Sequence, residues 1–520
     1  MTDALLTRVV QWLPKDIPKL SSGVLSGSID YLGDGRITAN LTANNVAFAD
    51  ASGLHAGEKI GLSLQARAQS GTHGLSWNAA LTWSAGEVFW QPLYLKAQKQ
   101  RLTAAGRFDG KALHVESGLL HYPGVGDTEF SAAYDLAAKK VSAARVTARE
   151  IDVTTFYDSL LKPFVAGTSF SDLRVEGRIS ADVWMDMRGL RGADVQLSRV
   201  SFEDKTRRRF ALFDVNGRVP WRAQQTTQAH IVAKGGELLK MPLGAFELPL
   251  EMNGPRFALK QLRVPLLDGH VSVRDFVARS DRVGGEWQFT GGIEAVSMAR
   301  FTAALGLPVM HGTLAVQLPM VRHVKSLLRV NGALSLKVFD GMIEANNLVL
   351  LDVFGKAPRA QADISMKNLD LGLVTRTYSF GSITGRIDAS VSGLELVNWQ
   401  PVKFDVSLMS SAGEYPRKIS QAAVQNISAL GGAGAAAAIQ RSVLRFFDQF
   451  GYDRLGWSCK LENDVCEMGG IENAPQGYMI VKGGGIPAIT VMGYNRQVSW
   501  DELLNRLKRV TQGNVKPVIQ

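Results

Sequence analysis

Two cysteines, eight histidines and two glycine-rich runs are the parts of this sequence whose types and spacing could do chemistry. In CKLENDVC, a two-residue turn centred on Glu462 and Asn463 would set Cys459 and Cys466 directly opposite each other on antiparallel strands. Facing Cβ atoms lie about 4.5–5.5 Å apart there, slightly wide of the ~3.8 Å a disulfide prefers but within reach. The spacing favours a disulfide over two unlinked thiols, and a disulfide belongs to an oxidising compartment.

The histidines, at 55, 73, 114, 121, 230, 270, 311 and 323, never fall at H-x-x-x-H or H-E-x-x-H spacing and have no Cys/His cluster beside them, so no metal site is expected. His114 and His121 read as surface or half-buried imidazoles on neighbouring strands. Gly432, Gly434 and Ala437 match G-x-G-x-x-A, with Asp453 some way on. That fingerprint needs a buried strand before its first glycine, and here QAAVQNISAL reads as helix, so tight helix packing is the better reading. Lys482 to Gly485 lacks the Lys-Ser/Thr step of a phosphate loop and reads as a hairpin tip. With no G-x-S-x-G elbow and no Ser, His and Asp set at a usable spacing, neither an enzyme nor a cofactor site is expected.

What must position any function is therefore strand, because period-two alternation dominates the chain. In LSWNAALTWS, Leu75, Trp77, Ala79, Leu81 and Trp83 share one face. In DLRVEGRISADVWMDMR, residues 172–188, Leu173, Val175, Ile179, Ala181, Val183, Met185 and Met187 oppose a charged face, with Trp184 as the exception. At about 3.3 Å per residue this run would extend ~55 Å, so it is one very long strand or two joined at a bulge. Shorter runs recur at 213–221, 271–278, 328–336, 360–366, 383–391 and 402–408. Gly-Arg-apolar tripeptides at Gly35, Gly106, Gly177, Gly217 and Gly385 suggest a weak repeat in which glycine opens a strand. Residues 151–164, 296–307 and 369–378 read as short helices between strands.

The formal charge of +10 in 520 residues would suit an anionic partner. Apart from Lys205 to Arg209, the basic residues are scattered on polar strand faces without interleaved aromatics, which argues against nucleic acid. No window approaches the roughly 18 apolar residues of a spanning helix. The first 20 residues lack the form of a secretory signal; Leu5, Leu6, Val9, Val10 and Leu13 fall at helical spacing, an amphipathic segment. The expected organisation is this segment (1–20), a β region (21–414) and a C-terminal α+β cap (415–520). In the cap, Ile439, Val443, Leu444, Phe446, Phe447 and Phe450 form a helical stripe, and Ser499 with Glu502 forms a capping box.

Within the cap, YPRKISQAAVQNISALGGAGAAAAIQRSVLRFFDQFGYDRLGWSCKLENDVCEMGG and GYMIVKGGGIPAITVMGYNRQVSWDELLNRLKR resemble the C-terminal signature of YdbH-like members of the AsmA-like group of Gram-negative bacteria. SFGSITGRIDASVSGLELVNWQPVKFDVSL is also similar to theirs. The resemblance is specific over residues 369–520 and upstream extends only to the strand pattern. It implies an elongated, twisted, mostly antiparallel periplasmic sheet curled into a hydrophobic groove, anchored in the inner membrane, that carries phospholipid between inner and outer membrane and serves outer-membrane lipid homeostasis. The implied partners are phospholipid, both membrane surfaces and membrane proteins at each end.

A long sheet with one apolar face must rest it on a sheet, on helices or on something that is not protein. Helices are few here, and the texture never breaks into repeated compact domains, so acyl chains are the expected cover, each buried CH₂ contributing ~0.8 kcal/mol. The candidate groove residues are Leu75, Trp77, Leu81, Trp83, Leu173, Val175, Ile179 and Val183. Some 20 to 25 strands about 4.8 Å apart would make a trough of roughly 100–120 Å. The rival readings are a β-rich structural or adhesin-type surface protein and an outer-membrane barrel.

Overall fold

The structure, a computed structural model, describes residues 19–72, 74–168, 170–206, 208–279, 285–306, 309–310, 312–353, 357–430 and 446–511. The chain is mainly β and antiparallel, with few short helices, as the alternation predicts. It divides into two compact units, Met1–Gly236 with Glu247–Pro255, and Glu237–Phe246 with Arg256–Gln520. No division falls at residue 415. Gln400–Ser410 pairs with Gln449–Glu462, which ties the expected cap into the sheet before it. Of the expected amphipathic segment, only Lys19 and Leu20 lie within the described residues, and both belong to a strand.

The first unit is a meander. Its strands are β1 (Lys19–Tyr31), β2 (Arg36–Ala49), β3 (His55–Gly71), β4 (Gly74–Trp90), β5 (Leu93–Lys96), β6 (Gln100–Phe108), β7 (Ala112–Tyr122), β8 (Gly126–Asp135), β9 (Lys140–Asp152), β10 (Leu173–Asp186), β11 (Gly189–Asp204), β12 (Phe210–Arg222) and β13 (Thr226–Ala233). Each pairs antiparallel with the next, except that β5 folds back on the end of β4 and β4 continues the ladder to β6. His114 and His121 share β7 rather than lying on two strands. The run 172–188 is one strand, β10. Only Gly35 and Gly385 of the five Gly-Arg glycines precede a strand; Gly106, Gly177 and Gly217 lie inside β6, β10 and β12. There the next backbone comes too close for a side chain: a Cβ on Gly106 would stand 1.8 Å from the His114 carbonyl oxygen.

A second regularity, invisible in the sequence pattern, is a set of bulges. Asn45, Lys59, Glu150, Arg199 and Asp214 each adopt left-handed φ near +50° at or beside a shift in register. Three of these residues have their backbone N–H satisfied by a side chain of the neighbouring strand: Glu150 donates to Ser180 Oγ (3.0 Å), Arg199 to Asn216 Oδ1 (2.8 Å) and Asp214 to Ser201 Oγ (2.9 Å). Bulges bend a strand and raise its twist, so their recurrence on successive strands bends this sheet without leaving those donors unpaired.

The expected helix at 151–164 is a capped turn, Val153–Phe156, continued by tighter and looser turns to Val165. Asp152 accepts from the Thr155 N–H, and Tyr157 Oη both donates to the Phe170 carbonyl (2.6 Å) and accepts from the Leu173 N–H (3.1 Å). Beside it Tyr122, Val125 and Ile151 make a small closed core.

The second unit continues by the same antiparallel pairing from Arg256–Leu266 to Val465–Gly470, but adds helices at Met298–Ala304, Leu371–Thr377, Gln421–Leu430 and Trp500–Thr511 and one large buried core. The alternating run at 328–336 is two strands, Leu327–Asn331 and Leu334–Val338. Helix does not extend to Phe450 as the stripe predicts: Phe450 is fully buried in the strand Gln449–Glu462, while Ile439, Val443 and Leu444 lie outside the described residues. Half of the predicted capping box forms. Glu502 N–H donates to Ser499 Oγ (3.3 Å), and the Glu502 carboxylate turns to Arg506 (2.7 Å).

Candidate functional site

Register converts the alternation into rows that run across the strands of the first unit. One row begins Leu41, Leu64, Leu81, Leu102, Leu120, one leucine on each of β2, β3, β4, β6 and β7. It continues through Thr128, Ala148, Ala181, Val195 and Val219 on β8 to β12. The adjacent row on the same face runs Ala39, Ala66, Ala79, Ala104, Gly118, then Phe130, Val146, Val183, Ala193 and Trp221. A third joins Ile37, Ala68, Trp77, Gly106 and Val115. These positions are apolar on strand after strand, with Thr128 the one hydroxyl.

Among the described residues no second layer covers this face. Each strand packs on its ladder neighbours, and among the described residues the helical turn at 153–165 is the one helical element resting on the unit, near β5, β9 and β10. The consequence is visible in burial: the leucine row is half-buried from β2 to β7 rather than sealed, and Leu113, Tyr134, Val141, Val146, Met185 and Leu190 are exposed large apolar side chains.

The structure brings most of the sequence candidates onto this face and sorts them. Leu75, Trp77, Leu81, Trp83 and Val183 stand half-buried on the open part of the sheet. Ile179 packs instead against the small core of Tyr122, Val125 and Ile151, an ordinary interior role. Leu173 and Val175 stand beside the helical turn, where Thr154 Oγ1 donates to the Val175 carbonyl (2.9 Å). Trp83 Nε1 donates to the Ala85 carbonyl (2.7 Å), whereas Trp77 Nε1 is buried with no hydrogen-bond partner. A buried donor left unpaired costs about 1–3 kcal/mol.

The opposite face is polar and ion-paired. Arg145 Nε donates to Asp182 Oδ1 (2.8 Å), with Thr147 Oγ1 donating to the same oxygen (3.1 Å), and Arg222 binds Asp194 (3.0 Å). Trp184, the exception in the alternation, faces this side, with the Arg222 guanidinium 4.5 Å from its ring centre. Two hollows of about 850 and 570 Å³ open on this polar face, where short residues such as Ala80, Ala105 and Ser117, or Ala133 and Ala143, stand among charged ones.

The cysteines are joined as a disulfide with Cα atoms 5.5 Å apart, but in a different register from the one expected. The turn is centred on Asn463 and Asp464, both left-handed, so Cys459 faces Met468 and Cys466 faces Leu461, and the disulfide is diagonal. A type I′ hairpin turn needs left-handed backbone at both central residues, which Asn463 and Asp464 adopt at less cost than Glu462 would. The histidines are dispersed, His55 on Asp50 (2.5 Å), His121 on Asp127 (2.6 Å) and His270 on Glu294 (3.0 Å), while His73 and His311 lie outside the described residues. Among the described residues no group of three or more His, Cys, Asp or Glu could hold a metal ion. Gly432 to Ala437 also lie outside them, though the preceding segment is helix as expected. Lys482 Nζ pairs with Glu472 (3.5 Å).

Comparison with protein-family models, curated proteins and solved structures finds no match. The site's description therefore rests on its own geometry. Sequence reasoning missed Val146, Ala193 and Trp221. Their runs alternate like the others, but only pairing shows that they extend one row.

Proposed function

We propose that this chain is a bridge-like lipid carrier, its apolar sheet face holding phospholipid acyl chains on their way between inner and outer membrane and so contributing to outer-membrane lipid homeostasis. The observation that carries the reading is the apolar face of the first unit, continuous in register from β2 to β12 and, among the described residues, without a protein layer over it. Ten ladder strands about 4.8 Å apart span roughly 43 Å, long enough to pass an acyl chain from strand to strand with Thr128 the one hydroxyl on the leucine row. Movement along such a face needs no catalytic group. The bulges supply the bend that turns a flat face into a trough.

The disulfide supports an oxidising location, which in a Gram-negative cell is the periplasm. The resemblance of residues 369–520 to YdbH-like proteins supports the same place and the two membranes as partners. Among the described residues no helix is long and apolar enough to cross a membrane. Of the rival readings, a barrel needs a closed ladder, and β1 pairs only with β2 among the described strands. A structural surface protein has no use for an uncovered apolar face of this extent.

Purification of the full chain without detergent, followed by lipid mass spectrometry, tests the proposal. The expected result is co-purified phospholipid that is lost from Leu81→Glu, which sets a carboxylate in the middle of the leucine row. A lipid-free protein, or equal lipid on both proteins, contradicts it.

A further inference from the structure

The second unit also carries an apolar row: Val264, Val271, Ile293, Val316, Leu336 and Ile343, continuing through Met366, Ala389 and Leu408 to Trp457. This row does not run out into solvent. Leu408 and Trp457 form part of the wall of a cavity of about 460 Å³, within the ~300–1,000 Å³ of ligand sites.

Three helices close the cavity over the sheet: Leu371–Thr377 supplies Val374, Gln421–Leu430 supplies Ile427 and Leu430, and Trp500–Thr511 supplies Leu503, Leu504 and Leu507. Two of its polar neighbours are already committed. Thr375 Oγ1 donates to the Leu371 carbonyl (2.8 Å), and Tyr478 Oη donates to the Asn495 carbonyl (3.4 Å). Water needs two to four polar partners and the wall is almost wholly apolar, while protein interiors seldom leave a void of this size.

We propose that this cavity is a discrete acyl-chain site, holding one hydrocarbon tail. Tyr378 and Leu507 line it yet are 38% and 41% exposed, which places its mouth between the first and third of these helices. Those helices carry Arg376 and, in the last turn of the other, Lys508 and Arg509, positive charge suited to the carboxylate of a fatty acid or the phosphate of a phospholipid. The inference shares its ligand class with the proposed carrier function and rests on that reading for nothing else.

Trp457 and Trp500 both line the cavity, so a chain within it that carries bromine quenches their fluorescence on contact. The test titrates the full-length protein with a mid-chain dibrominated fatty acid and, separately, with vesicles of phosphatidylglycerol bearing the same chains. The expected result is saturable quenching at one chain per protein, most of it abolished in the Trp457→Phe, Trp500→Phe variant. Leu504→Trp, which fills the cavity, and Leu507→Glu, at its exposed mouth, each weaken binding at least tenfold while circular dichroism stays unchanged. Quenching by the free acid identifies a fatty-acid site, and quenching by vesicles alone identifies phospholipid. Absence of quenching of these two tryptophans in both arms overturns the proposal, as when the protein's own chain fills the space. Leu81→Glu separates the two readings: it retains this quenching even where it abolishes lipid on the first unit's face.

Discussion

The two units of this chain are built from the same strand grammar and finish differently. In the second, Leu371–Thr377, Gln421–Leu430 and Trp500–Thr511 close over the sheet, and Ile419, Val424, Leu461 and Val491 are 0–1% exposed. In the first, the leucine row reaches β7 without a covering layer, and the one closed cluster is Tyr122, Val125 and Ile151 beside a single helical turn. An apolar strand face thus has no fixed meaning. What lies over it decides whether it is interior or surface, and that is settled by helices far away in sequence.

Substitution should separate the two units by size of effect. Leu461→Ala, in the closed core, is expected to cost about 2–5 kcal/mol in denaturant unfolding. Replacing both cysteines by serine should cost about 2.5 kcal/mol, the loop-closure value for a sequence separation of 7, and the loss should appear in the transition of the second unit alone. Leu81→Ala, on the half-buried row, should cost only about 1 kcal/mol, because much of its surface already meets solvent. An equal cost for Leu81→Ala and Leu461→Ala would remove the distinction between the units.

The smallest effect concerns the polar face. The Arg145 guanidinium hydrogen-bonded to Asp182, with Thr147 and against opposing burial, holds that carboxyl below its ordinary 3.8. A depressed pKa stabilises the fold above the ordinary value and ceases to do so as pH falls through the depressed one. Asp182→Asn should therefore be less stable than the natural protein near neutrality, by roughly 0.5 kcal/mol for a solvent-screened pair, and the gap should close as pH falls through the depressed pKa. A gap that persists in acid would assign the loss to packing instead.

Much of this was legible in residues. The alternation around Trp77 and Val183 fixed which side chains share a face, and Ser499 marked the start of the last helix. The register was not. That Leu41, Leu64, Leu81, Leu102 and Leu120 form one row depends on hairpin lengths and bulges at Asn45 and Lys59, and a one-residue slip would send each leucine to the other face. The fate of Ile179 was equally hidden, because its packing partners Tyr122 and Val125 belong to a different hairpin. The cysteine hairpin was misread by one position because the turn follows the backbone tolerance of Asn463 and Asp464 rather than the symmetry of the cysteines.

The central claim is that one face of the first unit holds lipid and the other does not, and neighbouring residues of one strand can decide it. Photo-crosslinking side chains placed singly at Trp77 and Trp83, and at Asn78 and Thr82 between them, sample both faces of β4 in living cells. The account predicts phospholipid captured from positions 77 and 83 and none from 78 and 82. Capture from all four positions alike, or from none, contradicts it.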